Sequence, residues 1–148
     1  MQHAVFALFL LATATAFALL EIQIEGRHGW AGSLPTWRID NRWTRRLWKK
    51  PLTGYHLYAQ IFLFVCAHAP FGLGLAGWGL AAEMRVLAFV ALFWVLEDFL
   101  WFLCNPSYGI HRFNPQSIPW HRDAWWWIAP RDYWIGAPCG MLLYGLAG

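Results

Sequence analysis

Two acidic residues stand side by side inside an otherwise apolar run: from Val86 to Ile110, Glu97 and Asp98 carry the only formal charges. A carboxylate near the centre of a bilayer costs about 2.5–3.5 kcal/mol on insertion scales and somewhat less off-centre. Such residues are kept where they are paired or do chemistry. Neighbours on a helix project about 100° apart. One of the two is therefore expected to face a functional cavity while the other holds a neighbouring helix. Glu21 and Glu25 close an earlier apolar run, and the spacing Glu21-x-x-x-Glu25-x-x-His28 puts all three on one helical face if the helix survives Gly26. His56 lies at the start of a second apolar run, and Asn105, His111, His121 and Asp123 lie in the polar stretch after the third.

Carboxylate oxygens with imidazole nitrogens are a donor set for a hard or borderline divalent ion: Zn, Fe, Mn or Mg. The expected ligands of one such ion are Glu25, His28 and His121, and the expected catalytic groups are Glu97, Asp98 and His56. Glu25-Gly-Arg-His28 has the Glu-x-x-His spacing of di-iron bundles, which need that motif twice plus two further carboxylates. It occurs once. A metal-free acid–base pair such as His56 with Glu97 fits the same residues. The competing reading is structural: Arg27, Arg112, Arg122 and Arg131, from neighbouring loops, are within reach to neutralise the acids. Asp132 beside Arg131 reads as a surface pair, and His3 and His68 fall on the far side, away from the cluster.

The elements that must position these groups follow from the hydropathy pattern. Of 148 residues, 59% are hydrophobic and 13% charged, too few charges for a soluble domain, where roughly a quarter are charged. A helix of about 20 apolar residues covers the roughly 30 Å hydrocarbon layer and satisfies its own backbone hydrogen bonds. Spanning helices are expected over about 3–24, 53–74, 83–104 and 132–147, in a single all-α membrane domain covering residues 1–148. Ala12-Thr13-Ala14-Thr15-Ala16 offers small residues for signal cleavage, but no Lys or Arg precedes the first run; the expectation is a retained helix. Seven of the eleven basic residues lie between the first two helices and three more between the third and fourth. The positive-inside rule then puts loops one and three in the cytoplasm and both termini opposite.

Within the first loop, Pro35 to Lys50 reads PTWRIDNRWTRRLWKK, with basic residues in one helical arc and Trp37, Ile39, Trp43, Leu47 and Trp48 in the other. This predicts an amphipathic helix lying in the headgroup layer, attracted to anionic lipids. The same interleaving of Trp disfavours nucleic acid as a partner. The third loop, rich in Pro, Gly and Asn, is expected to fold back and pack on the first. Most of the twelve Trp are expected to anchor at the interface, with a minority lining a lipid groove. Cys66, Cys104 and Cys139 have no disulfide or zinc spacing and read as small buried hydrophobes. There is no Gly-rich phosphate loop, nucleophile elbow, His-Glu-x-x-His or Cys-x-x-Cys. Two functions fit: a membrane enzyme acting on a lipid or other hydrophobic substrate at the cytoplasmic boundary, or a non-catalytic accessory or assembly subunit, either of which allows an oligomer or partner subunit. A transporter ranks third, because four short helices without a repeat suit alternating access poorly.

Overall fold

The computed structural model describes residues 1–148, and the chain is mostly helical. Two helices are long and apolar enough to cross a membrane: α1 (Gln2–Glu25, 24 residues) and, further along the chain, Leu80–Cys104 (25 residues). The expected second span is divided. The helix Gly54–Ala67 stops after 14 residues, and a one-turn helix Ala69–Gly72 follows. Pro70, which has no N–H to continue the first helix, sits in the opening turn of the second. The last helix, Arg131–Leu146, has 16 residues, below the roughly 20 that cover a bilayer.

The first loop departs from the expected long amphipathic helix. Arg38–Ile39 (β1) pairs antiparallel with Leu52–Thr53 (β2), and only Arg42–Leu47 (α2) is helical. The cause is local. The Asn41 side chain accepts from the N–H groups of Trp43 and Thr44, while the Thr44 hydroxyl accepts from the Asn41 N–H. This reciprocal cap starts the helix at residue 42 and leaves the preceding residues free to form a ladder. The apolar side chains Trp37, Ile39, Trp43, Leu47 and Trp48 are nevertheless all exposed together. Asp40, the one residue out of place in the basic arc, receives two hydrogen bonds from Arg45, at 2.7 and 2.6 Å.

With the remaining helices numbered α3 (Gly54–Ala67), α4 (Ala69–Gly72), α5 (Leu80–Cys104) and α6 (Arg131–Leu146), α5 is the central element, packed between α1 and α6. Gly136 and Gly140 let α6 approach α5: a Cβ on Gly140 would stand 2.6 Å from Leu92 Cγ, and one on Gly136 2.8 Å from Val95. Two core clusters result, one of Ala14, Phe89 and Phe93, the other of Ala18, Ile22, Trp101, Phe102 and Ile118. The third loop folds back as expected. It carries a short hairpin, β3 (Trp125–Trp126) with β4 (Ala129–Pro130). Asn105 and Tyr108 donate to the carbonyls of Gly26 and Arg27 at 2.8 and 2.9 Å, and Arg131 donates to that of Leu47 at 2.7 Å.

Much of the outer surface is apolar, with Leu8, Phe9 and Leu20 of α1 and Ile61, Phe62 and Val65 of α3 exposed. The three cysteines correct the sequence reading, since all are exposed thiols on that outer surface. Helix faces turned outward need no polar character if lipid surrounds them, so an apolar run alone does not tell buried from lipid-facing.

Candidate functional site

At the end of the fold away from both termini, α1, α3, α5, α6 and two loops enclose a cavity of about 240 Å³. Its walls include Glu21, Glu25, His56, Glu97, Asp98 and His121, together with Trp30, Trp48, Trp94, Trp101 and Trp120. Five of the six expected site residues, Glu25, His56, Glu97, Asp98 and His121, thus line one cavity, and His28 does not. His28 is exposed and lies outside the cavity. The helix that would have carried it onto the face of Glu25 ends at that residue, and Gly26 turns away with φ of 60°. His111 and Asp123 are exposed too, while His3 and His68 bond Tyr144 and Glu83 far from the cavity.

The adjacent acids have separate partners, as their angular offset requires. Asp98 accepts from the Tyr133 hydroxyl at 2.6 Å and lies 3.4 Å from His121 Nε2. Glu97 is 2% exposed and lines the cavity wall with Glu21 and Glu25. Glu97 Oε1 and His121 Nδ1 are buried with no hydrogen-bond partner in the protein. Glu25 accepts from the backbone N–H of Ala31. No arginine pairs with any of these four acids; the arginine ion pairs are Arg45–Asp40 and Arg131–Asp132.

His56 is held from two sides. Thr53 caps α3, its hydroxyl accepting from the His56 backbone N–H at 3.3 Å, and the same hydroxyl lies 2.6 Å from His56 Nδ1. The Trp30 ring stacks on the imidazole, centroids 3.8 Å apart, and the Lys50 ammonium sits 3.5 Å from the centre of the indole. This stack depends on the turn after α1, where Gly29, Trp30 and Ala31 all have positive φ. Non-glycine residues there cost of order 1–3 kcal/mol and persist only where surrounding contacts impose them. Gly29 is required twice over: its φ is +52°, and a Cβ would run into the Trp120 ring.

Lys50 is the one Lys or Arg in the cavity wall. Burial holds its ammonium below the usual lysine range. His121 is held below the ordinary histidine range by burial first and by the charge of Lys50 second, with Asp98 and Asp132 pulling the other way. Val95 and Tyr133 also line a second space, a wholly apolar groove of about 570 Å³ formed with Leu10, Leu92, Leu96, Phe99 and Phe113 among others.

Lys50, Trp30, Thr53 and Tyr133 belong to the site but escape the sequence reading. Thr53-Gly54-Tyr55-His56 was legible as a helix N-cap aimed at His56. Lys50 looks like the end of a basic stripe, and nothing in its sequence marks it as buried. No family model, curated protein or solved structure matches the chain.

Proposed function

We propose that the chain is a multi-pass membrane protein whose polar cavity, on the cytoplasmic side, is the catalytic site for a lipid or other hydrophobic substrate. The observation that carries this reading is the junction of two unlike spaces. A polar cavity holding Glu97, Asp98, His56 and His121 adjoins an apolar groove, with Tyr133 and Val95 common to both. A substrate with a polar head and a hydrocarbon chain fits that division, the chain in the groove and the reacting group beside the acids. Asp98 with His121 supplies the proton-transfer pair, Tyr133 fixes the carboxylate, and Lys50 offers a positive charge to an anionic head. An accessory subunit that kept its acids for structure would pair them with arginine, and here none is so paired.

The membrane placement rests on the two long apolar helices and the apolar outer surface. In this reading α3 with α4, and α6, complete four crossings, and the basic first and third loops face the cytoplasm. Local thinning of the bilayer or tilting of neighbours accommodates the two shorter helices.

The test is turnover. Detergent-purified protein is reconstituted into vesicles of phosphatidylethanolamine and phosphatidylglycerol, with isoprenoid and fatty acyl additives, and the lipids are followed by mass spectrometry. Wild type should convert at least one class, and Asp98→Asn should lower the rate roughly 10²–10⁴-fold, the usual contribution of a positioned acid or base. Conversion that survives Asp98→Asn and His121→Gln undiminished would remove these residues from the chemistry. An unchanged lipid profile across the panel would favour the accessory subunit.

A further inference from the structure

His56 presents Nε2 to two carboxylates and bonds neither. Nε2 lies 3.6 Å from Glu25 Oε1 and 4.0 Å from Glu21 Oε1, whereas a hydrogen bond between such groups spans about 2.7–3.2 Å. The other ring nitrogen is engaged with the Thr53 hydroxyl at 2.6 Å. An imidazole fixed through Nδ1 in this way turns Nε2 outward as a metal donor, and the fixing partner sets its tautomer. One donor atom from each of Glu21, Glu25 and His56 can be chosen so that all three lie within 4.8 Å of one another. Donors bound to a single ion at 2.0–2.2 Å stand about 3–4 Å apart; His56 Nε2 already stands at that separation from both carboxylates, and the remaining gap closes by about 1–2 Å at most.

A second observation is independent of that trio. Glu97 is 2% exposed, its Oε1 has no hydrogen-bond partner, and it lines the same cavity as the trio. A buried carboxylate oxygen without a donor is costly unless a cation meets it. The cavity wall has Lys50 as its only lysine or arginine, and that ammonium is placed over the Trp30 ring rather than on a carboxylate. Three buried carboxylates therefore line one cavity with no lysine or arginine bonded to any of them.

We infer that Glu21, Glu25, His56 and Glu97 bind one divalent transition-metal ion of the Mn(II), Fe(II) or Zn(II) class. The imidazole donor argues against Ca(II) and Mg(II), which favour all-oxygen surroundings, and the oxygen-rich remainder argues against thiophilic ions. His28 has no part in the set, because it lies exposed beyond the end of α1. The site stands whether or not the cavity turns over lipid, since an accessory subunit with the same residues would bind the ion equally.

The experiment uses the full chain in detergent, freed of metal with a chelator and titrated with Mn(II), Fe(II) under anaerobic conditions, and Zn(II). Wild type should take up one equivalent of at least one of these ions. Bound Mn(II), or Fe(II) as its complex with ¹⁵N-labelled nitric oxide, should show in pulsed electron paramagnetic resonance ¹⁴N coupling that is lost in His56→Ala. Glu25→Gln and His56→Ala should weaken uptake at least tenfold, and Thr53→Val, which removes the group holding His56, should weaken it roughly 10–100-fold. His28→Ala should leave it unchanged. The inference is overturned by wild-type protein that takes up none of the three ions saturably, by a bound paramagnetic ion without ¹⁴N coupling, or by uptake unaltered in both Glu25→Gln and His56→Ala. The first two readings use wild type alone, so a variant that fails to fold leaves the test intact.

Discussion

His121 shows what a single buried group does to the behaviour of the whole chain. It is 2% exposed and held below the ordinary histidine range, burial outweighing the pull of Asp98. The folded chain thus keeps the ring neutral at a pH where the unfolded chain begins to protonate it. At this site more protons bind to the unfolded state as the pH drops below about 6.5, so the contribution of His121 to stability falls on acidification through that value, by up to about 1.4 kcal/mol per pH unit. In thermal unfolding in detergent, wild type should lose stability relative to His121→Gln on going from about pH 8 to about pH 5. Equal slopes for the two proteins would place the titrating group elsewhere. At this scale the sequence was informative about which acids matter but not about their company. Glu97 and Asp98 were legible because charge is rare in an apolar run, and their divergence follows from helix geometry. The cavity neighbours Lys50 and Tyr133 were not, since each reaches the cavity only through the path of its backbone in space.

Among the elements, α2 and the contact between α5 and α6 depend on particular small or capping residues. Asn41 starts α2 through two accepted hydrogen bonds, at 2.9 and 3.0 Å. Asn41→Ala should cost about 1 kcal/mol and speed hydrogen exchange at the Trp43 and Thr44 amides, while leaving α1 and α5 unaffected. Unchanged exchange there would mean that the β1–β2 pairing, and not the cap, fixes the start of α2. Gly140→Val forces a side chain into the 2.6 Å approach to Leu92 and should cost about 1–3 kcal/mol in thermal unfolding. Wild-type stability in that variant would show that α6 can move off α5. The long helices α1 and α5 were readable from hydropathy alone. The short hairpins were not, because two-residue strands have no periodicity to detect and their pairing is decided by what lies across from them. The end of α1 at Glu25 separated His28 from Glu25, and Gly26 was the residue that signalled it.

For the molecule as a whole, the proposal of four crossings makes a statement about faces. In a cysteine-free background, Arg46→Cys should react with a membrane-impermeant thiol reagent only after the inner face is opened, and Gly77→Cys should react in intact cells. Reaction of both from the same face would remove the four-crossing arrangement. The glycines from the end of α4 to the start of α5 lead to a separate consequence. Gly72, Gly74, Gly77 and Gly79 have open space where a Cβ would stand, so this connection makes no close packing contact at any of them. It also divides the cavity's residues by origin: Glu21, Glu25 and His56 come before it, and Glu97, Asp98, His121 and Tyr133 after it. Cutting the chain near Leu75 would therefore yield two fragments, each carrying half the polar groups and neither a whole site. Co-expressed, they should reassemble by complementation, because the surfaces that join α1 to α5 survive the cut and an exposed connection tolerates nicking.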